Sequence, residues 1–159
     1  MYRIRPVKIT DERKLQDLYY SLDTKSLYER FSYLPIAFLR HSIQHFVHLD
    51  YDRNMAFCVM ESGDYDSKMI AFGHYACDQN GKCAEVDFVV AKPHRNKGIG
   101  TCLGRKLSAY AKRKGIGSLK AFVQLTNVPM QKALTTVAKE AASWESKTDN
   151  NMLEFLIRL

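Results

Sequence analysis

The sequence predicts an α+β fold, an α/β sandwich in which helices cover both faces of a mostly antiparallel, twisted central sheet. Three observations predict it. Apolar residues recur with period 2 in some segments and near period 3.6 in others, and the two kinds interleave along the chain. Their order is strand, two or three helices, three antiparallel strands, helix, strand, helix, strand. No linker, low-complexity run or repeat interrupts the 159 residues, so residues 1–159 are expected to share one core.

Taken in order, Tyr2 to Val7 alternates as a strand does. Thr10-Asp11-Glu12 offers a helix start, with Leu15, Leu18, Tyr19 and Leu22 at helical spacing behind it. Asp23-Thr24 opens a short helix carrying Leu27, Tyr28 and Phe31, and Pro35 opens a third helical stretch to about residue 49. The period then changes. Met55 to Glu61 and Met69 to Cys77 read as strands, and Asp78-Gln79-Asn80-Gly81 as the turn into a strand from Cys83 to Ala91. A long helix follows from Gly98 to about Lys114, with an apolar stripe of Ile99, Cys102, Leu103, Leu107 and Tyr110. Leu119 to Gln124 is a strand, Pro129 to about Ala142 a helix, and Met152 to Leu159 the last strand.

Composition narrows the class. Hydrophobic residues make up 46% and charged residues 26%, the balance of an ordinary globular protein. No stretch approaches the roughly 20 apolar residues of a membrane helix, and the first residues lack the apolar block of a signal peptide. A cytoplasmic protein with no membrane partner is expected. Cys58, Cys77, Cys83 and Cys102 form no CxxC pair, so they read as reduced, mostly buried thiols rather than zinc ligands. Cys77 and Cys83, flanking a turn, have the alternative of pairing across it. His41, His45 and His48 recur at helical spacing, but the apolar stripe beside them explains a packed helix, and no metal is expected. A net charge of +7 suits an anionic partner.

The strongest local signal is the loop Arg95-Asn96-Lys97-Gly98-Ile99-Gly100, between a hydrophobic strand and a helix. A helix N-terminus exposes unpaired N–H groups and partial positive charge, so it holds phosphates. Gly98 and Gly100 let the backbone approach an anion, and Arg95 and Lys97 add counter-charge. The alternative is a basic loop whose glycines serve tight packing. A Walker A loop would need a lysine before Thr101, which is absent. A dinucleotide fingerprint would place its first glycine just after the strand and an acid about 20 residues on; the loop meets neither condition.

On the preceding strand, Glu85 and Asp87 lie two apart and share a face, about 7 Å from one another. Each charge raises the other's pKa modestly, towards a useful general base; the alternative is a solvated strand face.

The segment from Ala84 to Ala91, followed by Arg95 to Thr101, resembles the acyl-CoA loop of the GNAT N-acetyltransferase superfamily. Asn127-Val128-Pro129-Met130 resembles the family's later asparagine motif, and the element order agrees over essentially the whole chain. A closer resemblance is to the catalytic domain of bacterial Pat-type protein lysine acetyltransferases. It rests on Ile4-Arg5-Pro6, the segments Ser26 to Phe31 and Asp50 to Ala56, and Ala84-Glu85.

The resemblance implies acetyl transfer from acetyl-CoA by direct attack of an amine, the acceptor being a protein lysine or a small amine. It implies that Glu85 is the general base and that backbone groups of Phe88, Val89 and Val90 meet the pantetheine arm. Backbone N–H groups of Arg95, Asn96, Lys97, Gly98, Ile99, Gly100 and Thr101 would cradle the pyrophosphate, with Asn127 contacting the cofactor or ordering the neighbouring splay between strands. Two departures stand out. Asp87 replaces a small or apolar residue, as a second acid, an anchor for the substrate ammonium or an exposed side chain. Leu134 stands where many members keep a tyrosine to protonate the leaving thiolate. The competing readings are an acyl-CoA sensor without catalysis and a basic nucleic-acid-binding module; no nucleic-acid motif is present.

Overall fold

The computed structural model describes residues 1–23, 25, 43–63 and 66–159. Strands β1 (Tyr2–Pro6), β2 (Asn54–Ser62), β3 (Ser67–Cys77), β4 (Cys83–Val90), β5 (Ser118–Gln124), β6 (Ser143–Asp149) and β7 (Met152–Arg158) form one sheet. Its order is β1-β2-β3-β4-β5-β7-β6. Every neighbouring pair is antiparallel except β4 and β5. The described helices are α1 (Glu12–Tyr20), α2 (Ile99–Arg113) and α3 (Val128–Lys139), with a further helical stretch at 43–47.

Strand alternation sorts the core into two layers. Met55, Phe57 and Val59 point to one face of β2 and pack with Leu103 and Leu107 of α2 and Leu134 of α3. Ala56, Cys58 and Met60 point to the other and pack with Leu15, Leu18 and Tyr19 of α1 and with Ile43 and Val47. Buried on both sides, β2 reads as an almost continuous apolar run. The start of α1 is fixed by Asp11, which is buried. Arg5 grips its carboxylate with two hydrogen bonds of 2.6 and 2.7 Å, and the Lys8 N–H donates a third at 2.8 Å.

The structure corrects several expectations. Helix α3 ends at Lys139, and residues 143–149 form β6, which pairs with β7 from Ser143↔Arg158 to Asp149↔Met152. All seven β6 residues are exposed, so no apolar alternation marks this edge strand. Asn150 and Asn151 make its turn with φ of 45° and 64°, the left-handed pair that a tight hairpin needs. On α2 the buried stripe is Ile99, Leu103, Leu107 and Ala111; Cys102 lies exposed on the outer side and Tyr110 is half-buried. Only Cys58 of the four thiols is buried, and all four are free. The hairpin sets Cys77 opposite Ala84, so Cys77 and Cys83 sit on opposite faces and do not meet. The expected helix bearing Tyr28 and Phe31, and most of the one after Pro35, lie outside the described residues. Among those described, no helix is long and apolar enough to cross a membrane.

Candidate active site

The parallel pairing of β4 with β5 is short. It covers Cys83↔Ser118, Ala84↔Leu119 and Glu85↔Lys120, and then stops. Beyond it β4 stays paired with β3 out to Val90, and β5 stays paired with β7 out to Gln124. Each strand keeps its outer partner while the inner edges part. The sheet therefore forks at Glu85, and a cleft of about 730 Å³ opens there.

The register decides which backbone groups enter the cleft. The Ala91 N–H donates to the Ile70 carbonyl at 2.9 Å, and the Asp78 N–H donates to the Cys83 carbonyl at 2.8 Å. Backbone groups alternate sides along a strand, so odd-numbered residues of β4 bond to β3 and even-numbered ones face β5. Past the fork, Phe88 and Val90 direct their N–H and C=O groups into the gap, where no strand meets them. Val89 engages β3 through its backbone and is also among the residues that line the cleft. Arg95 Nε takes one of the gap-facing groups, donating to the Val90 carbonyl at 2.9 Å.

The glycine loop closes the far end. After a 3₁₀ turn at Lys92–His94, Asn96 and Gly98 adopt left-handed backbone, with φ of 59° and 77°, and Gly98 caps α2. No side chain caps this helix. The first intrahelical bond joins the Cys102 N–H to the Gly98 carbonyl, so the N–H groups of Ile99, Gly100 and Thr101 have no helical acceptor. The two glycines have different tasks. Gly98 faces open space and supplies the left-handed turn. A Cβ on Gly100 would lie 3.2 Å from the Phe88 ring and 3.7 Å from Ala133, so its bareness lets α2 seat on β4.

Of the residues expected at the site, Glu85, Phe88, Val89, Val90, Arg95, Asn96, Gly98, Ile99, Gly100, Thr101 and Asn127 all line the cleft. Lys97 is exposed and does not. Asn127 caps α3, its side chain accepting from the Met130 N–H at 3.3 Å, so it orders the helix at the cleft wall. Glu85 is exposed, and Asp87 is half-buried on the same face, opposite His74 of β3. Leu134 is buried in the core and outside the lining. Reading of the sequence missed Lys132 on the cleft wall and His94 beside the loop. The His94 ring meets the Tyr2 hydroxyl at 3.2 Å and Glu61 at 3.7 Å, tying the loop to the first two strands. The signal for Lys132 was its place in the first turns of a helix already assigned to the site.

Chemically, the cleft offers unpaired N–H groups at the start of a long helix, gap-facing strand amides, and the cations Lys25, Lys92, Arg95 and Lys132. This is a fitting place for a long molecule with phosphates at one end, and the exposed carboxylate of Glu85 marks the other.

A family model described as the acetyltransferase (GNAT) family matches residues 16–136. Among solved structures, the GNAT domain of PAT from S. lividans is 22% identical, with a TM-score of 0.83, covering 99% of this chain and 90% of that one. A GCN5-related N-acetyltransferase from Kribbella flavida is 12% identical, with a TM-score of 0.75 and coverage of 99% and 98%. A ribosomal-protein-S5-alanine acetyltransferase from Vibrio fischeri is 14% identical, with a TM-score of 0.73 and coverage of 99% and 92%.

Proposed function

The chain belongs to the acetyltransferase (GNAT) family and so moves an acetyl group from acetyl-CoA to an amine, and we propose that the amine is a protein lysine and that Glu85 is the general base. The observation that carries this reading is the position of Glu85 as the last residue of β4 paired with β5, at the apex of the fork. A base there stands where the acyl end of a molecule threaded between the strands would arrive. Glu85 is exposed, which suits an acceptor presented on the surface of another protein. The resemblance of Ile4-Arg5-Pro6, the segment Asp50 to Ala56 and Ala84-Glu85 to Pat-type protein lysine acetyltransferases supports the same class of acceptor.

On this reading each group at the cleft has a role. A lysine ammonium with a pKa near ~10.4 is protonated at neutral pH, so attack requires that its proton be collected. Glu85 takes that proton. Acetyl-CoA supplies the activated acyl group. The N–H groups of Phe88 and Val90 face the gap, where they can polarise a carbonyl lodged between the strands. Those of Ile99, Gly100 and Thr101, which have no helical acceptor, hold the pyrophosphate, with Arg95 and Lys132 as counter-charge, and Asn127 keeps α3 in place beside it. Acetyl-CoA is a metabolite of the cell interior, so a cytoplasmic protein belongs to the same reading.

The test is transfer of labelled acetyl from acetyl-CoA to lysines of a protein lysate, with Glu85→Gln alongside. The variant should bind acetyl-CoA as before and turn over about 10²–10⁴-fold more slowly. A fully active Glu85→Gln at neutral pH would remove Glu85 from the role, and label found only on small amines would remove the protein acceptor.

A further inference from the structure

The sheet sets a lysine directly beside the proposed base. Glu85 and Lys120 are register partners on neighbouring parallel strands, with Cα atoms about 4.8 Å apart. Their predecessors, Ala84 and Leu119, are both buried in the layer under α2 and α3, so Glu85 and Lys120 share the opposite face. Two long side chains of opposite charge so placed would ordinarily pair. Here they do not. Among the described residues the Glu85 carboxylate makes no hydrogen bond or ion pair, while Lys120 Nζ lies 3.4 Å from Glu154 Oε1 on β7.

Glu154 is well placed to hold that lysine. Its register partner is Phe122, two residues beyond Lys120 on the open side of the fork. Its second oxygen meets Lys147 of β6 at 3.2 Å, and its side chain is only 18% exposed. The Lys147 ammonium and, after it, that of Lys120 hold the Glu154 carboxyl below the usual carboxylate range, against the opposing effect of burial. Both oxygens thus have a cation, and the one nearer the fork is the cation that would otherwise reach Glu85.

We propose that Glu154 is a positioning residue which holds Lys120 off Glu85 and so keeps the base free to accept a proton. The proposal rests on the reading of Glu85 as the base. A carboxylate paired with an ammonium has a lower proton affinity and is a weaker base. Other charges face Glu85 as well. Asp87 stands two residues along β4, and His74 and Asp78 flank its partner on β3. Asp23 and Lys25 line the same cleft, and His45 lies on the stretch 43–47, whose Phe46 packs on His74. None of these is held by Glu154, so removing Glu154 changes the pairing of Lys120 and Lys147 alone.

The experiment compares the intact chain with Glu154→Gln, Lys147→Met, the double variant Glu154→Gln/Lys120→Met, and Glu85→Gln. Two readouts are followed: the acidic limb of kcat/KM, and the titration of the Glu85 carboxyl by carbon-13 NMR. In Glu154→Gln both should move to lower pH by about half a pH unit, the scale of an exposed ion pair. Adding Lys120→Met should return both to the original position, and Lys147→Met should leave them there. An unmoved Glu85 titration in Glu154→Gln, or a shift that survives Lys120→Met, would overturn the proposal. So would a shift of matching size and opposite sign in Lys147→Met, which would assign the effect to net charge. The two readings fail separately. Full activity in Glu85→Gln would remove the base, whereas the NMR titration still decides whether Glu154 restrains Lys120.

Discussion

Replacing Gly98 by alanine isolates the conformational requirement of the loop from its packing. A Cβ built at Gly98 meets no atom within 4 Å, so the added methyl causes no clash. What it meets is the backbone angle, φ of 77°, where an L side chain costs about 1–2 kcal/mol. Alanine also narrows the unfolded ensemble, returning about 0.4–1 kcal/mol. The net loss is therefore about 1 kcal/mol, which for a chain of this length lowers Tm by about 2–4 °C. Binding should suffer more if the loop relaxes to escape the strained angle. Each lost N–H contact to a phosphate is worth about 1.5–3 kcal/mol, so acetyl-CoA affinity should fall about 10-fold or more. Thermal melts followed by circular dichroism, with calorimetric titration of acetyl-CoA, measure both. Gly98→Asn is the control, because asparagine tolerates the left-handed region and should recover much of the loss. A Gly98→Ala variant with unchanged Tm and affinity would refute the argument. If Gly98→Asn were as damaging as Gly98→Ala, the cost would lie in contact and not in conformation.

Two further outcomes concern the scaffold. Burial pushes the Asp11 carboxyl up, but hydrogen bonds from Arg5 and the Lys8 N–H, with the Arg5 charge, outweigh it and hold it below the usual range. A lowered folded pKa contributes stability above the unfolded value near ~3.9, lost as pH falls through the folded value. Asp11→Asn should thus cost about 2–3 kcal/mol at pH 7, with the gap to the unaltered chain closing below about pH 4 in urea titrations. Asn127→Ala removes the α3 cap and should cost about 1 kcal/mol, while Asn127→Asp should retain the stability, as read by thermal melts.

How far the fold was legible depended on what each element buries. Strands β2 to β4 were plain because their apolar residues are enclosed by helices on one or both faces. The edge strand β6 was not, since Trp144, Ser146 and Thr148 on one face and Glu145, Lys147 and Asp149 on the other are all exposed. Its one local mark was Asn150-Asn151, a pair whose tolerance of positive φ suits a tight hairpin. The stripe on α2 was read too wide for a similar reason. Cysteine and tyrosine score as apolar, yet Cys102 faces solvent, and Tyr110 packs its ring on the core while its hydroxyl bonds the Tyr51 carbonyl at 2.8 Å. Hydropathy reports what a residue tolerates; only packing decides where it lies.

The same distinction divides the candidate site. The glycine loop was legible because a left-handed turn at Gly98 and a close approach at Gly100 leave few residue types able to serve, and those types stand at fixed spacing. The fork was expected from the family resemblance alone, since no residue in β4 or β5 declares that their pairing ends after three positions. Its cause is distributed. The Phe88 ring fills the space that Gly100 leaves bare, α2 and α3 meet over it, and β5 is drawn along β7 as far as Gln124. The fork also turns two ordinary charged residues into neighbours with consequences. Lys120 would be an unremarked surface lysine on a longer parallel pair, and Glu154 an unremarked surface acid. Because the pairing stops at Glu85 and Lys120, the last lysine of the closed sheet stands beside the first carboxylate of the open cleft. The identity of the residue that restrains it then bears on the chemistry. A motif can name the groups that touch a ligand, but the groups that must be kept away from them become visible only when register and face are known.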